Sequence, residues 1–88
     1  MKTGKQLERH FKGVANHRRI EIIFCISRHE GVTVGDLASL LNCNFKTISE
    51  HTRRLVQAGL VNKTYKNQTV NHSLSPYGKN FVKFLKSL

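Results

Sequence analysis

Residues 33–59 read TVGDLASLLNCNFKTISEHTRRLVQAG. Val34, Leu37, Ala38 and Leu41 fall at helical spacing and predict a short amphipathic helix. Thr33 stands at its N-cap position, where a hydroxyl satisfies a free helix-start amide. Asn42-Cys43-Asn44 reads as a tight polar turn, with Asn44 placed to cap a second helix. That helix keeps Ile48, Thr52, Leu55 and Val56 on one side and Lys46, Thr47, Ser49, Glu50, Arg53 and Arg54 on the other. It stops at Gly59, a residue suited to the left-handed position beyond a helix end. A short helix, a tight turn and a polar-faced second helix make a helix-turn-helix, the arrangement in which the second helix enters the major groove of DNA.

Beyond the pair, Leu60-Val61-Asn62-Lys63-Thr64-Tyr65-Lys66 and Thr69-Val70-Asn71-His72-Ser73-Leu74 are two strand-biased runs around Asn67-Gln68. They predict a hairpin over about residues 60–74, the wing of a winged helix. The helix pair, the TISEH core of its second helix and the AGLV exit into the wing resemble the ArsR-type family of winged-helix transcriptional regulators. The AGLV exit itself recurs across several winged-helix families. With RRIEIIFCI before the pair and the wing and last helix after it, the resemblance covers about nine-tenths of the chain, a length typical of one domain. It implies a mainly α fold with a small β-hairpin, about five helices and a two-stranded wing in one domain over residues 1–88. It also implies a homodimer that binds double-stranded DNA.

The charge balance points the same way. Fifteen Lys and Arg stand against five Asp and Glu, a net charge of +10. The acids are Glu8, Glu21, Glu30, Asp36 and Glu50, so Arg53, Arg54, Lys63, Lys66, Lys79, Lys83 and Lys86 follow with no acid among them. Such a balance implies a polyanionic partner or an anionic surface. The bland alternative, a basic chain that is simply well solvated, is opposed by the helix-turn-helix pattern. A chain of 88 residues supports one modest core, which a dimer would help by burying more apolar surface. No apolar run approaches the roughly 18 residues a membrane helix needs. MKTGKQLERHFKG has a charged start and no apolar core segment, so no signal peptide is expected. The two cysteines fit a reducing compartment, and the expected location is the cytoplasm.

A first helix is expected from about Thr3 to Val14, with Leu7, Phe11 and Val14 on one stripe among Lys5, Glu8, Arg9 and Lys12. Periodicity leaves two roles open for this stripe, docking on the domain or pairing with a second subunit; the resemblance implies the second. Asn16 is placed to cap a helix from about His17 to Arg28. Its centre, Ile20 to Ile26, is apolar nearly all round except for Glu21, which predicts a buried helix with Glu21 outward. His29-Glu30-Gly31 ends it, and Val32-Thr33 has the character of a short edge strand pairing with the wing. Ser75-Pro76 opens the last helix, a capping serine before a proline whose missing amide is harmless at the first helical position. Tyr77, Phe81, Phe84, Leu85 and Leu88 then form a stripe too rich for an exposed terminal helix over residues 76–88. Packing against the first helix and its two-fold mate accounts for it, which puts Leu7, Phe11, Val14, Tyr77, Phe81, Phe84, Leu85 and Leu88 at the expected dimer interface.

On DNA, affinity comes mostly from phosphate contacts and sequence choice from base edges. The first turns of the second helix place Phe45, Lys46, Thr47, Ser49 and Glu50 nearest the bases, and Asn44 at its start is counted with the DNA-binding residues. Lys46 suits guanine, Thr47 and Ser49 suit bases or phosphates, and Glu50 suits a cytosine amino group. Phe45 either packs on a thymine methyl or lids the helix pair, with the lid the favoured reading. Arg53 and Arg54, a turn later, suit phosphates, and Arg54 is expected to tilt toward solvent. Lys63, Tyr65, Lys66, Asn67 and Gln68 populate the wing, whose tip is the minor-groove candidate. Arg18 and Arg19 open the buried helix, where the resemblance implies support of the fold or a backbone contact.

Other chemistries lack their residues. Aligned on Gly35-Asp36-Leu37, the metal-sensing Cys-x-Cys positions of ArsR-like proteins fall at Thr33 and Gly35, neither of which supplies a thiolate. Ser75 to Leu88 contains no His, Asp, Glu or Cys, so the family's other metal location is missing too. Cys25 reads as a small core residue, Cys43 as a partly exposed turn thiol, and His51 as a structural residue on the inner edge of the second helix. No phosphate-cradling glycine loop or nucleophile motif occurs, and no metal, cofactor or enzymatic activity is expected. The expectation is a sequence-specific homodimeric repressor, since the chain has no room for an activation domain beside its DNA-binding parts. The rivals are a winged-helix module for RNA or protein and a sequence-tolerant architectural DNA binder. The basic face from Asn44 to Arg54 and the wing favours nucleic acid.

Overall fold

Each helix in the computed structural model, which describes residues 1–88, starts on a capping side chain. α1 (Gly4–Val14) begins with a reciprocal box: Thr3 Oγ1 accepts from the Gln6 amide and Gln6 Oε1 from the Thr3 amide. α2 (His17–Arg28) begins at Asn16, whose Oδ1 accepts from the amides of Arg18 and Arg19. Thr33 and Asp36 form a second capping box on α3 (Val34–Leu40). α4 (Phe45–Gln57) starts on Asn44, and α5 (Pro76–Lys86) on Ser75 with Pro76 in its first turn. Between them run β1 (Val61–Lys66) and β2 (Thr69–Leu74), paired antiparallel. Five helices and one two-stranded hairpin form the expected winged helix-turn-helix.

α4 gives way to the wing at Gly59, whose φ of +79° is open to glycine without a Cβ penalty. The register pairs Val61 with Leu74 and Lys63 with His72. Paired residues project from the same face, so Val61, Lys63, His72 and Leu74 share the side turned to the helices. Val32 adds one bridge on the outer edge of β2: the His72 amide donates to the Val32 carbonyl and the Gly31 amide to the His72 carbonyl, both at 2.8 Å. The expected two-residue edge strand is thus a single bridge, because Thr33 is already engaged in capping α3.

Ile22, Ile23, Ile26, Leu37, Ile48, Leu55 and Leu60 are fully buried, and the core lies between α2, α3, α4 and the foot of the wing. Glu21 is exposed, as its place on α2 required. The terminal helices close on the segment after α4 at two glycines. A Cβ on Gly13 would overlap the Ala58 Cβ, and one on Gly78 would overlap the Leu60 carbonyl. Beside Gly13, His10 is 3% exposed; its Nδ1 donates to the Ala58 carbonyl at 2.7 Å and its ring lies 5.0 Å from that of Tyr77.

This close crossing takes Val14 out of the expected dimer stripe. Val14, carried under the domain next to Gly13, is a core residue and does not face outward. Phe81 and Leu85 are half-buried against the same core, while Val82, which the stripe omitted, is the side chain α5 inserts most fully. Leu7, Phe11, Tyr77, Phe84 and Leu88 remain exposed.

Candidate nucleic-acid interface

Burial of Ile48, Thr52 and Leu55 fixes the roll of α4 and leaves Phe45, Lys46, Thr47, Glu50, Arg53 and Arg54 exposed, with Ser49 half-buried beside the wing. Asn44 is already engaged: its Oδ1 accepts from the amides of Lys46 at 2.8 Å and Thr47 at 3.2 Å, leaving its side-chain amide to face outward. Phe45 does not lid the helix pair. It is 60% exposed at the first helical position and borders a shallow cleft with Val34, Gln68 and Val70, so the start of α4 and the wing tip flank one opening.

Glu50 is paired within α4. Arg53 donates to it through Nη2 at 2.6 Å and Nε at 3.2 Å, and Arg54 through Nε at 3.3 Å. The Arg53 hydrogen bond is the main cause holding the Glu50 carboxyl below its usual range. Positions three and four apart meet on a helix surface, and Glu50 therefore anchors two arginines. The anchored pair diverges. Arg53 lines a cleft on the wing side with Lys63, whereas Arg54, half-exposed as expected, lines one on the α1 side with Arg9, Lys12 and Arg19.

On the wing, Lys63, Tyr65, Lys66, Asn67 and Gln68 are all exposed. Thr69 Oγ1 lies 2.9 Å from the Lys66 carbonyl and 2.9 Å from Asn71 Oδ1, which braces the tip from behind. Asn67 makes the turn with φ +57°, a conformation its short polar side chain tolerates.

The two arginines that open α2 have separate roles. Arg18 pairs with Glu21 at 3.1 Å on the surface. Arg19 Nε donates to His51 Nδ1 at 3.2 Å, and its Nη1 reaches the Lys12 carbonyl at 3.4 Å, so it links α1, α2 and α4. Burial, followed by the charges of Arg19 and Arg18, holds the His51 pKa below its ordinary value.

Thr52 is the one orphan. It is 1% exposed, and its Oγ1 has no hydrogen-bond partner in the protein, a situation that costs about 1–3 kcal/mol. Cys25 is buried, which pushes its thiol pKa up, and Cys43 is half-buried in the turn. No three His, Cys, Asp or Glu side chains converge as metal ligands, and no helix is long and apolar enough to cross a membrane.

The MarR family model matches residues 15–68, from just before α2 to the wing tip. The transcriptional activator HlyU of Vibrio cholerae is 38% identical over 64 residues, 73% of this chain, and the match spans 58% of that curated relative's length. The solved structure of HlyU from Vibrio cholerae superposes with a TM-score of 0.81 at 31% identity, covering 97% of this chain and 94% of that one. The homodimeric winged helix-turn-helix DNA-binding domain of Mb0332 from Mycobacterium bovis, a possible ArsR-family regulator, superposes with a TM-score of 0.85 at 20% identity. It covers 94% of this chain and 77% of that one, a likeness of fold.

Proposed function

The chain belongs to the MarR family, and we propose that it is a homodimeric transcriptional regulator that binds double-stranded DNA through α4 and the wing. One observation carries this reading. A single surface presents Lys46, Thr47 and Arg53 from α4 beside Lys63 and Lys66 from the wing, and its one acid, Glu50, is already bound to arginine. In this arrangement Lys46, Thr47 and Phe45 reach base edges in the major groove. Arg53, Lys63 and Lys66 meet phosphates, and the Asn67-Gln68 tip lies on the minor groove.

Dimerisation rests on the apolar surface shared by α1 and α5. Leu7, Phe11, Phe81 and Phe84 line a groove of about 220 Å³, and Phe11 meets Phe81 edge-on at a ring separation of 5.1 Å. A two-fold axis there pairs two α4 helices and calls for an inverted repeat with half-sites about 34 Å apart. The homodimer described for the Mb0332 domain supports the same assembly.

Within the winged-helix regulators we place the chain with the ArsR-like type, supported by the TISEH and AGLV pattern and by the likeness to that domain. It lacks the thiolates of a metal sensor, since Thr33 instead caps α3. Its place of action is the cytoplasm, where its DNA would be. Repression by occupying the operator needs only these parts, and a reporter assay with the operator over a promoter separates it from the activation named for HlyU.

The deciding experiment selects bound duplexes from a random pool at about 150 mM salt, where non-specific attraction is partly screened. An enriched inverted repeat is expected. Retention without enrichment indicates an architectural binder, and no retention overturns the DNA reading in favour of RNA or protein partners.

A further inference from the structure

Three elements meet at the opening between the start of α4 and the wing tip. Val34 begins α3, Phe45 begins α4 and Val70 lies on β2. Together they border a shallow cleft of about 340 Å³. Phe45 is 60% exposed, and Val34 and Val70 are half-buried. No charged side chain lines this cleft, although the chain carries a net charge of +10. The cations stand at its rim: Lys46 directly follows Phe45, and Lys66 ends β1. A polyanion is therefore drawn to the rim while the cleft itself stays neutral. Its two hydroxyls are already engaged. Thr33 Oγ1 accepts from the Asp36 amide at 3.1 Å, and Thr69 Oγ1 lies 2.9 Å from the Lys66 carbonyl. Of the lining side chains, only Gln68 keeps a polar group free.

Such a cleft offers a phosphate neither a cation nor a free hydroxyl. It offers a methyl group apolar contact from three elements at once. On the major-groove edges of the four bases the one methyl is that on C5 of thymine. We infer that Phe45, Val34 and Val70 form a seat for the C5 methyl of a pyrimidine. Resting on the DNA reading above, this makes the three residues determinants of sequence choice at one position of each half-site. Uracil and unmodified cytosine lack the methyl, whereas 5-methylcytosine carries it. The seat therefore selects thymine over cytosine, DNA over RNA, and methylated over unmethylated cytosine at that position. Burial of one methyl corresponds to about a fourfold change in affinity.

The experiment uses the whole chain and the inverted repeat enriched from the random pool. Each thymine is replaced in turn by deoxyuridine, in both half-sites together, so that base pairing is kept and only the methyl is lost. One position should lose about fourfold in affinity for each half-site. A cytosine–guanine pair placed there should gain about the same when its cytosine is methylated on C5. Phe45→Ala should bind the thymine and deoxyuridine repeats alike, a coupling that marks direct contact. Phe45 is largely exposed, so this variant should unfold as the wild type does. Val70→Thr, which keeps the side-chain shape and suits a strand, should shrink the same difference. A repeat that tolerates deoxyuridine at every position, or that holds no thymine, overturns the methyl seat and leaves duplex binding standing. A thymine preference that Phe45→Ala retains in full also overturns it, because other residues then read the methyl. A chain that retains no duplex refutes the proposed function and the methyl seat with it.

Discussion

Arg19 Nε donates to His51 Nδ1 across 3.2 Å, joining the buried helix to the helix that faces DNA. Only a ring nitrogen with a free lone pair accepts, so His51 is neutral, with its proton on Nε2. Its pKa is held below the ordinary 6.5, first by burial and then by Arg19 and Arg18. The unfolded chain therefore binds this proton more readily than the folded one. Stability from this source is complete above pH 6.5 and is lost as pH falls through that value toward the depressed folded pKa. Urea unfolding followed from about pH 7.5 to 5 should show the loss, and His51→Gln, which keeps an acceptor for Arg19 but does not titrate, should flatten part of it. Parallel profiles for the two proteins would refute the link.

Because Glu50 binds both Arg53 and Arg54, we propose that its removal frees two cations for phosphate contact. Glu50→Gln should raise affinity for unrelated duplexes and steepen the dependence of log K on log salt, by about 0.9 for each phosphate newly engaged. Binding titrations at several salt concentrations read both quantities. A selective loss of affinity for the selected operator, with no change on random duplexes, would return Glu50 to reading cytosine.

Lys46 on the first turn of α4 and Lys66 near the wing tip are both exposed, and they should fail differently. Lys46→Ala is expected to lose about 1–3 kcal/mol of discrimination at one base pair. Lys66→Ala should weaken all duplexes alike and lower the salt slope by about one phosphate. Equal losses on every duplex would show that both lysines contact only backbone.

Element boundaries were legible because they are decided locally. Thr3, Asn16, Thr33, Asn44 and Ser75 each cap the helix that begins after them, and the wing pairs where its strand-biased runs fall. Tertiary approach decided what was missed. A stripe of Leu7, Phe11 and Val14 gives no sign that Val14 goes under the domain while Phe11 stays out, because the depth of the α1 crossing is set by Gly13 against Ala58. His10 carries no local signal of its burial for the same reason, since its partner is a carbonyl 48 residues away. The Glu50 pairing had a local signal in its spacing to Arg53 and Arg54, but helical spacing is equally compatible with three free side chains. Helical spacing alone turns Thr52 inward, although nothing in its sequence neighbourhood indicates that its hydroxyl lacks a partner.

The Gly13 crossing is open to a direct test. Alanine normally favours a helix interior over glycine by about 1 kcal/mol. At this position the added methyl meets the Ala58 Cβ, and overpacking of that kind costs about 1–3 kcal/mol. Gly13→Ala should therefore lower the unfolding free energy, and adding Ala58→Gly should recover part of the loss by making room. The cycle of four proteins, measured by chemical denaturation, should show a favourable coupling between the two sites. Additive effects would mean that the helices do not cross at this pair.

The dimer proposal places two-fold contacts on residues whose loss leaves the protomer intact, and Phe84 is the cleanest of these. It is 50% exposed on α5, whereas Phe11 and Phe81 already pack on each other within the chain. Phe84→Asp puts a charge into the apolar groove that α1 and α5 share. A surface substitution of this kind changes protomer stability by only about 0.5 kcal/mol, so unfolding should be nearly unaffected. Burying the new carboxylate against a second copy without a partner is far costlier, and sedimentation velocity should show the dimer replaced by monomer. On DNA the second half-site then ceases to be an intramolecular contact, and affinity for the inverted repeat should fall about 10²–10⁴-fold while affinity for an isolated half-site holds. A Phe84→Asp protein that stays dimeric would move the two-fold axis off this groove, and one that is monomeric yet binds the full repeat unchanged would separate dimerisation from recognition.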